Sequence, residues 1–148
     1  MIAGVMVKEL KGNYDERGRL MEILRRDDKI FRKFGQVYIT TAKPGVVKAW
    51  HYHKLQYDYF CCILGKMRLA LYDARKGSKT HGEIMDFELG LRNPKLVKIP
   101  KGVYHGFKCI SKEEAIVVNI PTLPYDKEKP DEYRIDPFDN NIKYDWKK

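Results

Sequence analysis

No run of apolar residues in this 148-residue chain approaches the roughly 18 that a membrane-spanning helix requires, so no membrane partner is expected. Cysteine is scarce: Cys61, Cys62 and Cys109 are an odd set, two of them adjacent in an apolar stretch. Neither a disulfide framework nor a Cys-x-x-Cys metal motif can be built from them, and they read as buried thiols in a reducing compartment. The opening MIAGVMVKEL has no cationic leader ahead of a long apolar stretch and no cleavage pattern, so the cytoplasm is the expected location. Internal repeats, low-complexity tracts and linkers are also missing, which fits a single domain over residues 1–148. Zinc-finger, basic-zipper and aromatic-basic RNA motifs are absent, and the lysines never form a block of five or six. The 29 Lys+Arg against 20 Asp+Glu, a net charge of +9, therefore do not point to nucleic acid. They suit a solvated surface or a phosphorylated small ligand.

What is present reads mostly as strand. Residues 36–41 (QVYITT) are rich in β-branched and aromatic types, and 66–72 (KMRLALY) alternates polar with apolar, so both predict half-buried strands. Residues 96–99 run into Pro100-Lys101-Gly102, and 115–120 stop at Pro121, giving two more. Glycines 45, 65, 77, 82, 90 and 102 punctuate the middle at intervals that suit many short strands, as in a sandwich or barrel. One helix is predicted, over 27–34, with aspartates early and Gly35 at its end. The tail from Pro121 holds Pro124, Pro130 and Pro137 and predicts an irregular wrap, with Tyr125, Tyr133, Phe138, Tyr144 and Trp146 to bury.

Only four histidines exist, and two form His51-Tyr52-His53, whose i, i+2 spacing in a strand puts both rings on one face. The pattern Gly45-x5-His51-x-His53-x4-Asp58-x6-Gly65, followed by Pro100-x-Gly102-x2-His105, resembles the two signatures of the cupin superfamily, with Asp58 where Glu is usual. The resemblance implies an all-β fold, a double-sheet jelly-roll barrel with these segments at its mouth. Two chemistries fit such a cluster. His51, His53 and His105 with Asp58 could ligate one divalent transition metal, as in metal-dependent dioxygenase or isomerase cupins. Alternatively, without metal, one histidine is a general base in a dry polar pocket.

A longer resemblance runs from about residue 14 to 146. Asp15-Glu16-Arg17-Gly18-Arg19-Leu20-Met21-Glu22, Gln36, Asp73-x-Arg75-x2-Ser78-x-Thr80-x-Gly82, Ile99-Pro100-x-Gly102-x2-His105-Gly106-Phe107 and Ile142-x-Tyr144-Asp145-Trp146 are similar to the dTDP-4-dehydrorhamnose 3,5-epimerase family, a cupin branch. That resemblance implies an isomerase without cofactor, acting on a nucleotide-diphosphate-linked 4-keto-6-deoxy sugar in polysaccharide biosynthesis. Protons beside the ketone are removed and returned, and homodimers form. His51 matches the family's base, Asp139 its carboxylate partner and His105 its pocket histidine. Arg17, Gln36 and Lys48 match nucleotide-binding positions, and His53 and Tyr125 are further substrate-binding candidates.

Several positions depart from the family. Asp58 stands at its lysine, Asn119 at its general-acid tyrosine, Lys48 at an arginine and Tyr38 at a small polar amide. Tyr52, Tyr104 and Tyr125 are candidate replacements for the acid. His51-Tyr52-His53-Lys54 also resembles the His-x-His-Lys of nucleotide-sugar 3,4-ketoisomerases. A cupin that binds sugar nucleotides without catalysis stays open as a further alternative.

Overall fold

Strands make up all of the regular secondary structure in the computed structural model, which describes residues 1–148. In chain order they are β1 (Met6–Glu9), β2 (Gly12–Asp15), β3 (Gly18–Met21), β4 (Tyr38–Ala42), β5 (Val47–Tyr52) and β6 (Asp58–Leu64). They continue as β7 (Lys66–Asp73), β8 (Ile84–Gly90), β9 (Lys95–Ile99), β10 (Val103–Cys109), β11 (Ala115–Asn119) and β12 (Tyr133–Arg134). Two five-stranded sheets form, ordered β1-β9-β6-β11-β4 and β12-β5-β10-β7-β8, and β2 pairs with β3 in a separate hairpin. From β4 to β7 and again from β8 to β12 the chain changes sheet at every step, the alternation of a jelly roll. The four predicted strands correspond to β4, β7, β9 and β11. No helix is long and apolar enough to cross a membrane.

The central strands are covered on both faces, which explains why β6 reads as an apolar run rather than an alternation. Asp58, Tyr59, Phe60, Cys61 and Cys62 are buried in succession. Phe60 and Cys62 join Leu69, Leu71, Val97, Val103, Val117 and others between the sheets. On the outside, Tyr59 and Cys61 pack with Leu10, Ile30 and Leu96 beneath the segment following β3. Outside the second sheet, Trp50 and Ala70 are covered by Trp146 of the tail, whose ring lies 5.0 Å from that of Trp50. The three thiols are free and buried, and burial pushes Cys61 up to about 12 and Cys62 to about 11.

The helix predicted over 27–34 does not form. The segment holds isolated turns, with Asp28 N donating to Arg25 O (3.2 Å) and Phe31 N to Asp28 O (3.0 Å). The Ile30 carbonyl, which a helix would pair with residue 34, instead accepts from the Tyr59 hydroxyl at 2.9 Å. Lys8 Nζ, at 2.5 Å, and Arg25 N, at 2.8 Å, both hold the Asp28 carboxylate. Burying Ile30 against the sheet wins over local helix propensity. The tail is irregular as expected except for β12, yet of its aromatics Tyr125 and Phe138 stay exposed.

The Asp73-to-Gly82 motif is a structural knot. Buried Asp73 accepts from Arg75 Nε (2.7 Å), Ser78 Oγ (2.6 Å) and Thr80 Oγ1 (2.6 Å). Arg75 and Thr80 also bind the backbone of Ala3, tying the chain start to the turn between β7 and β8.

Candidate active site

One end of the sandwich opens into a cavity of about 920 Å³, at the large end of the range for small-molecule sites and roomy enough for a ligand bigger than a monosaccharide. The second sheet contributes Lys48, His51, His105 and Arg134; the first contributes Tyr38, Thr40, Asp58 and Phe60. The tail closes one side with Tyr125, Lys129, Asp131 and Glu132.

A bulge in β5 sets what faces inward. His105 of β10 is opposite His51, but Phe107 is opposite Lys48, so three residues of β5 span two of β10. In a regular strand, residues three apart point to opposite faces; the extra residue lets Lys48 and His51 both line the cavity. Gly106 permits the close approach at this point, since a Cβ there would sit 2.2 Å from that of Ala49.

His51 sits between His105 and Arg134 as cross-strand partner of each. Its Nδ1 lies 3.5 Å from Glu132 Oε1. Burial, reinforced by the neighbouring His105 and Arg134, lowers its pKa to about 4 against the smaller opposing pull of Glu132. The ring is therefore neutral at physiological pH. A carboxylate facing Nδ1 selects the tautomer with its proton there, which leaves Nε2 as a base. Burial pushes the Glu132 carboxyl up, but Arg134, whose Nη2 is 2.7 Å away, outweighs that and holds it low.

His53 is shifted in the opposite direction. Its Nδ1 is 2.5 Å from the Asp131 carbonyl and its Nε2 3.0 Å from Asp58 Oδ2. A carbonyl beside Nδ1 and a carboxylate beside Nε2 both favour the protonated ring. Burial alone would lower its pKa; the hydrogen bond and charge of Asp58 turn the shift upward. Asp58 is 1% exposed; its Oδ1 accepts from Gln56 Nε2 at 2.8 Å, and its Oδ2, which has no hydrogen-bond partner, faces the Nε2 atoms of His53 and of His105, the latter at 3.3 Å. Burial would raise the Asp58 pKa, yet these two rings hold it well below the usual carboxylate range. His105 Nδ1 faces the Val103 carbonyl at 3.2 Å, and the ring stands edge-on to Phe60.

Of the sequence-predicted residues, the cavity gathers His51, His53, His105, Gln36, Lys48 and Tyr125. Gln36 Oε1 accepts from Tyr125 N at 3.1 Å, and Lys48 Nζ donates to Thr40 Oγ1 at 3.2 Å. Two residues fall elsewhere. Asp139 lies on an exposed turn whose backbone donates to Asp136, and Glu132 stands against His51 in its stead. Arg17 is on the β2–β3 turn, paired with Asp15 at 2.5 Å and outside the cavity lining. Of the four candidate metal ligands, His53, Asp58 and His105 bring ligand atoms within 4.8 Å of one another, and His51 is not of that group.

Sequence reading missed Glu132 and Asp131, because both reach the site through the two-residue strand β12. Asp131 also accepts from the backbone N–H groups of Lys54, Leu55 and Gln56 at 2.8–2.9 Å, fixing the loop after β5. Tyr52 and Tyr104 stack on each other, ring centroids 4.2 Å apart, and do not line the cavity.

Comparison with known proteins covers the whole chain. The family model described as dTDP-4-dehydrorhamnose 3,5-epimerase matches residues 1–148. A spore coat polysaccharide biosynthesis protein of Bacillus subtilis is 39% identical over 146 residues, covering 99% of this chain and 97% of that one. A protein of Haloferax volcanii named as a probable low-salt glycan biosynthesis epimerase is 42% identical over 140 residues, 93% of this chain and 89% of its own. The crystal structure of a dTDP sugar isomerase from Desulfovibrio desulfuricans superposes with a TM-score of 0.93 at 30% identity, covering 99% of this chain and 92% of that chain.

Proposed function

The chain belongs to the dTDP-4-dehydrorhamnose 3,5-epimerase family, and from that premise we propose that it is a cofactor-independent, cytoplasmic isomerase of nucleotide-linked 4-keto-6-deoxy sugars in polysaccharide or glycan synthesis. The observation that carries this is His51: a half-buried, neutral imidazole, turned by a carboxylate, lining a cavity of nucleotide-sugar size. A ketone acidifies the neighbouring C–H bonds, and a base positioned against one can form the enolate. His51 Nε2 takes that proton, and Glu132 steadies the imidazolium that results. His53, held as a cation by Asp58 and the Asp131 carbonyl, supplies positive charge near a developing enolate oxygen. Its Nδ1 is held by the Asp131 carbonyl and its Nε2 is turned to Asp58, so it acts by its field rather than as a donor. His105 keeps that arrangement rigid. Lys48, Lys129 and Arg134 give the diphosphate a cationic lining, with Gln36 and Tyr125 at the nucleotide end.

Incubation of the protein with dTDP-4-keto-6-deoxyglucose, followed by NMR of the sugar, tests this. Epimer signals are expected; unaltered sugar that nonetheless binds would establish the non-catalytic alternative. Within the site, Glu132→Gln is expected to cost roughly 10–100-fold in kcat, consistent with a group acting through the base. Asp139→Asn is expected to cost much less. Equal losses would restore Asp139 as the partner of His51.

A second reading has one observation in its favour, the convergence of His53, Asp58 and His105. Neutral rings donating Nδ1–H to the Asp131 and Val103 carbonyls would present Nε2 lone pairs, so these residues could hold a divalent ion. Such an ion would supply Lewis-acid charge. Metal analysis of untagged protein decides: an equimolar transition ion supports this reading, and trace amounts support the protonated cluster.

We further propose a homodimer. Ile39 and the neighbouring Val37 are 61% and 57% exposed along β4, an edge strand that a second copy could cover. Light scattering should then give twice the 17.5 kDa chain mass.

A further inference from the structure

Inverting a carbon requires a proton to leave from one face and another to arrive from the opposite face. The two walls of the cavity supply those two directions. His51 belongs to a row of cross-strand partners on the second sheet, Arg134, His51, His105 and Leu71. On the first sheet a matching row runs Tyr38, Asn119 and Phe60, with Asn119 paired directly to Tyr38 and to Phe60. Tyr38 and Phe60 line the cavity facing the wall that carries His51.

Hydrogen bonding around Tyr38 is directional. The backbone N–H of Tyr59 donates to Asn119 Oδ1 at 3.2 Å, which fixes the buried amide with its NH2 group on the other side. That Nδ2 donates to the Tyr38 hydroxyl at 2.8 Å. The phenol oxygen is thus an acceptor in this contact, and its own proton remains free to be given to something in the cavity. Asn119 is fully buried, so the bond is shielded from competing water.

We propose that Tyr38 is the general acid of this site, oriented by Asn119, and returns a proton to the substrate on the face opposite His51. This rests on the epimerase reading above. In the proposed sequence a C–H bond breaks on the His51 side and Nε2 gains the proton. The enolate carbon then takes the Tyr38 hydroxyl proton on the other side, leaving a phenolate. The phenolate recovers a proton from water, to which the 42%-exposed Tyr38 has access, and the imidazolium releases one. Protons balance without any co-reactant. Burial and the nearby Asp58 push the phenol up to about 12, partly offset by Asn119, so the acid is loaded throughout the neutral range. Positions 38 and 119 are cross-strand partners, so the phenol and the amide stand at the same level of the sheet.

Removal and return of protons can be measured separately. In heavy water, Tyr38→Phe is expected to retain deuterium entry beside the ketone within about fivefold, because His51 can return a solvent-derived deuteron to the face it left. Inverted product should fall about 100-fold or more, the usual scale for losing a general acid. Thermal melting of the same variant checks that the fold is kept. The double variant Tyr38→Asn with Asn119→Tyr should recover at least tenfold over Tyr38→Asn alone. Inversion within about threefold of wild type in Tyr38→Phe overturns the assignment, as does loss of inversion in Tyr125→Phe with Tyr38→Phe unaffected. Absence of both exchange and inversion in the wild-type protein would instead overturn the epimerase reading itself.

Discussion

Asp58→Asn is expected to destabilise the protein by about 3–5 kcal/mol, the cost of removing one partner from a buried charge cluster. For a chain near 150 residues this corresponds to a fall of roughly 6–20 °C in melting temperature. The substituted amide is nearly isosteric with the carboxylate, so the loss reports charge rather than volume. Both His53 and His105 face the same oxygen, Oδ2; an amide oxygen placed there carries no charge for them, and its NH2 group would then meet the Gln56 amide that donates to Oδ1 at 2.8 Å. The pH dependence carries the sign. Asp58 titrates lower in the folded protein than its ordinary 3.8, so its contribution is present above that value and is lost as acid protonates it. His53 titrates higher than its ordinary 6.5, so its contribution is complete below 6.5 and declines as pH rises through the shifted value. The stability gap between wild type and Asp58→Asn should therefore be widest between about pH 4 and 6.5 and narrow on both sides. A gap independent of pH would show that His53 is not held as a cation.

The second large effect concerns His51. Replacement by asparagine preserves polarity and approximate size but removes the base, and kcat should fall by about 10²–10⁴-fold, with little change in KM. Because its pKa is lowered to about 4, His51 is already unprotonated at neutral pH. Wild-type kcat/KM should accordingly show its acidic limb near pH 4 and no inflection near 6.5 from this residue. A limb centred at an ordinary histidine value would mean that the ring is better solvated than its position between β10 and β12 implies.

These two histidines illustrate what the sequence could and could not convey. His51 and His53, two apart, were legible as a pair on one face, and both line the cavity. Their opposite pKa shifts were not, because those depend on Glu132, Asp131 and Asp58, brought in by the tail and by the neighbouring sheet. Lys48 at the same surface needed the β5 bulge, which alternation alone cannot predict. Strands β4, β7, β9 and β11 were legible from β-branched runs and turn residues. The false helix over 27–34 carried valid local signals; the Tyr59 hydroxyl and the buried Ile30 side chain overrode them. Motif spacing located the cavity, and the family resemblance supplied its chemistry. Glu132 had no such signal, since a two-residue strand in a proline-rich segment has no period to detect.

Solvent deuterium entry addresses the base directly. The protein and its His51→Asn variant are each incubated in heavy water with a dTDP-linked 4-keto-6-deoxyhexose, and mass and NMR spectra of the sugar are followed. Proton abstraction by the half-buried imidazole predicts deuterium at carbon next to the ketone in the wild type and near-complete loss of that label in a folded His51→Asn. Label entering the variant at an undiminished rate, or epimer formed in the wild type without any solvent deuterium, would contradict it.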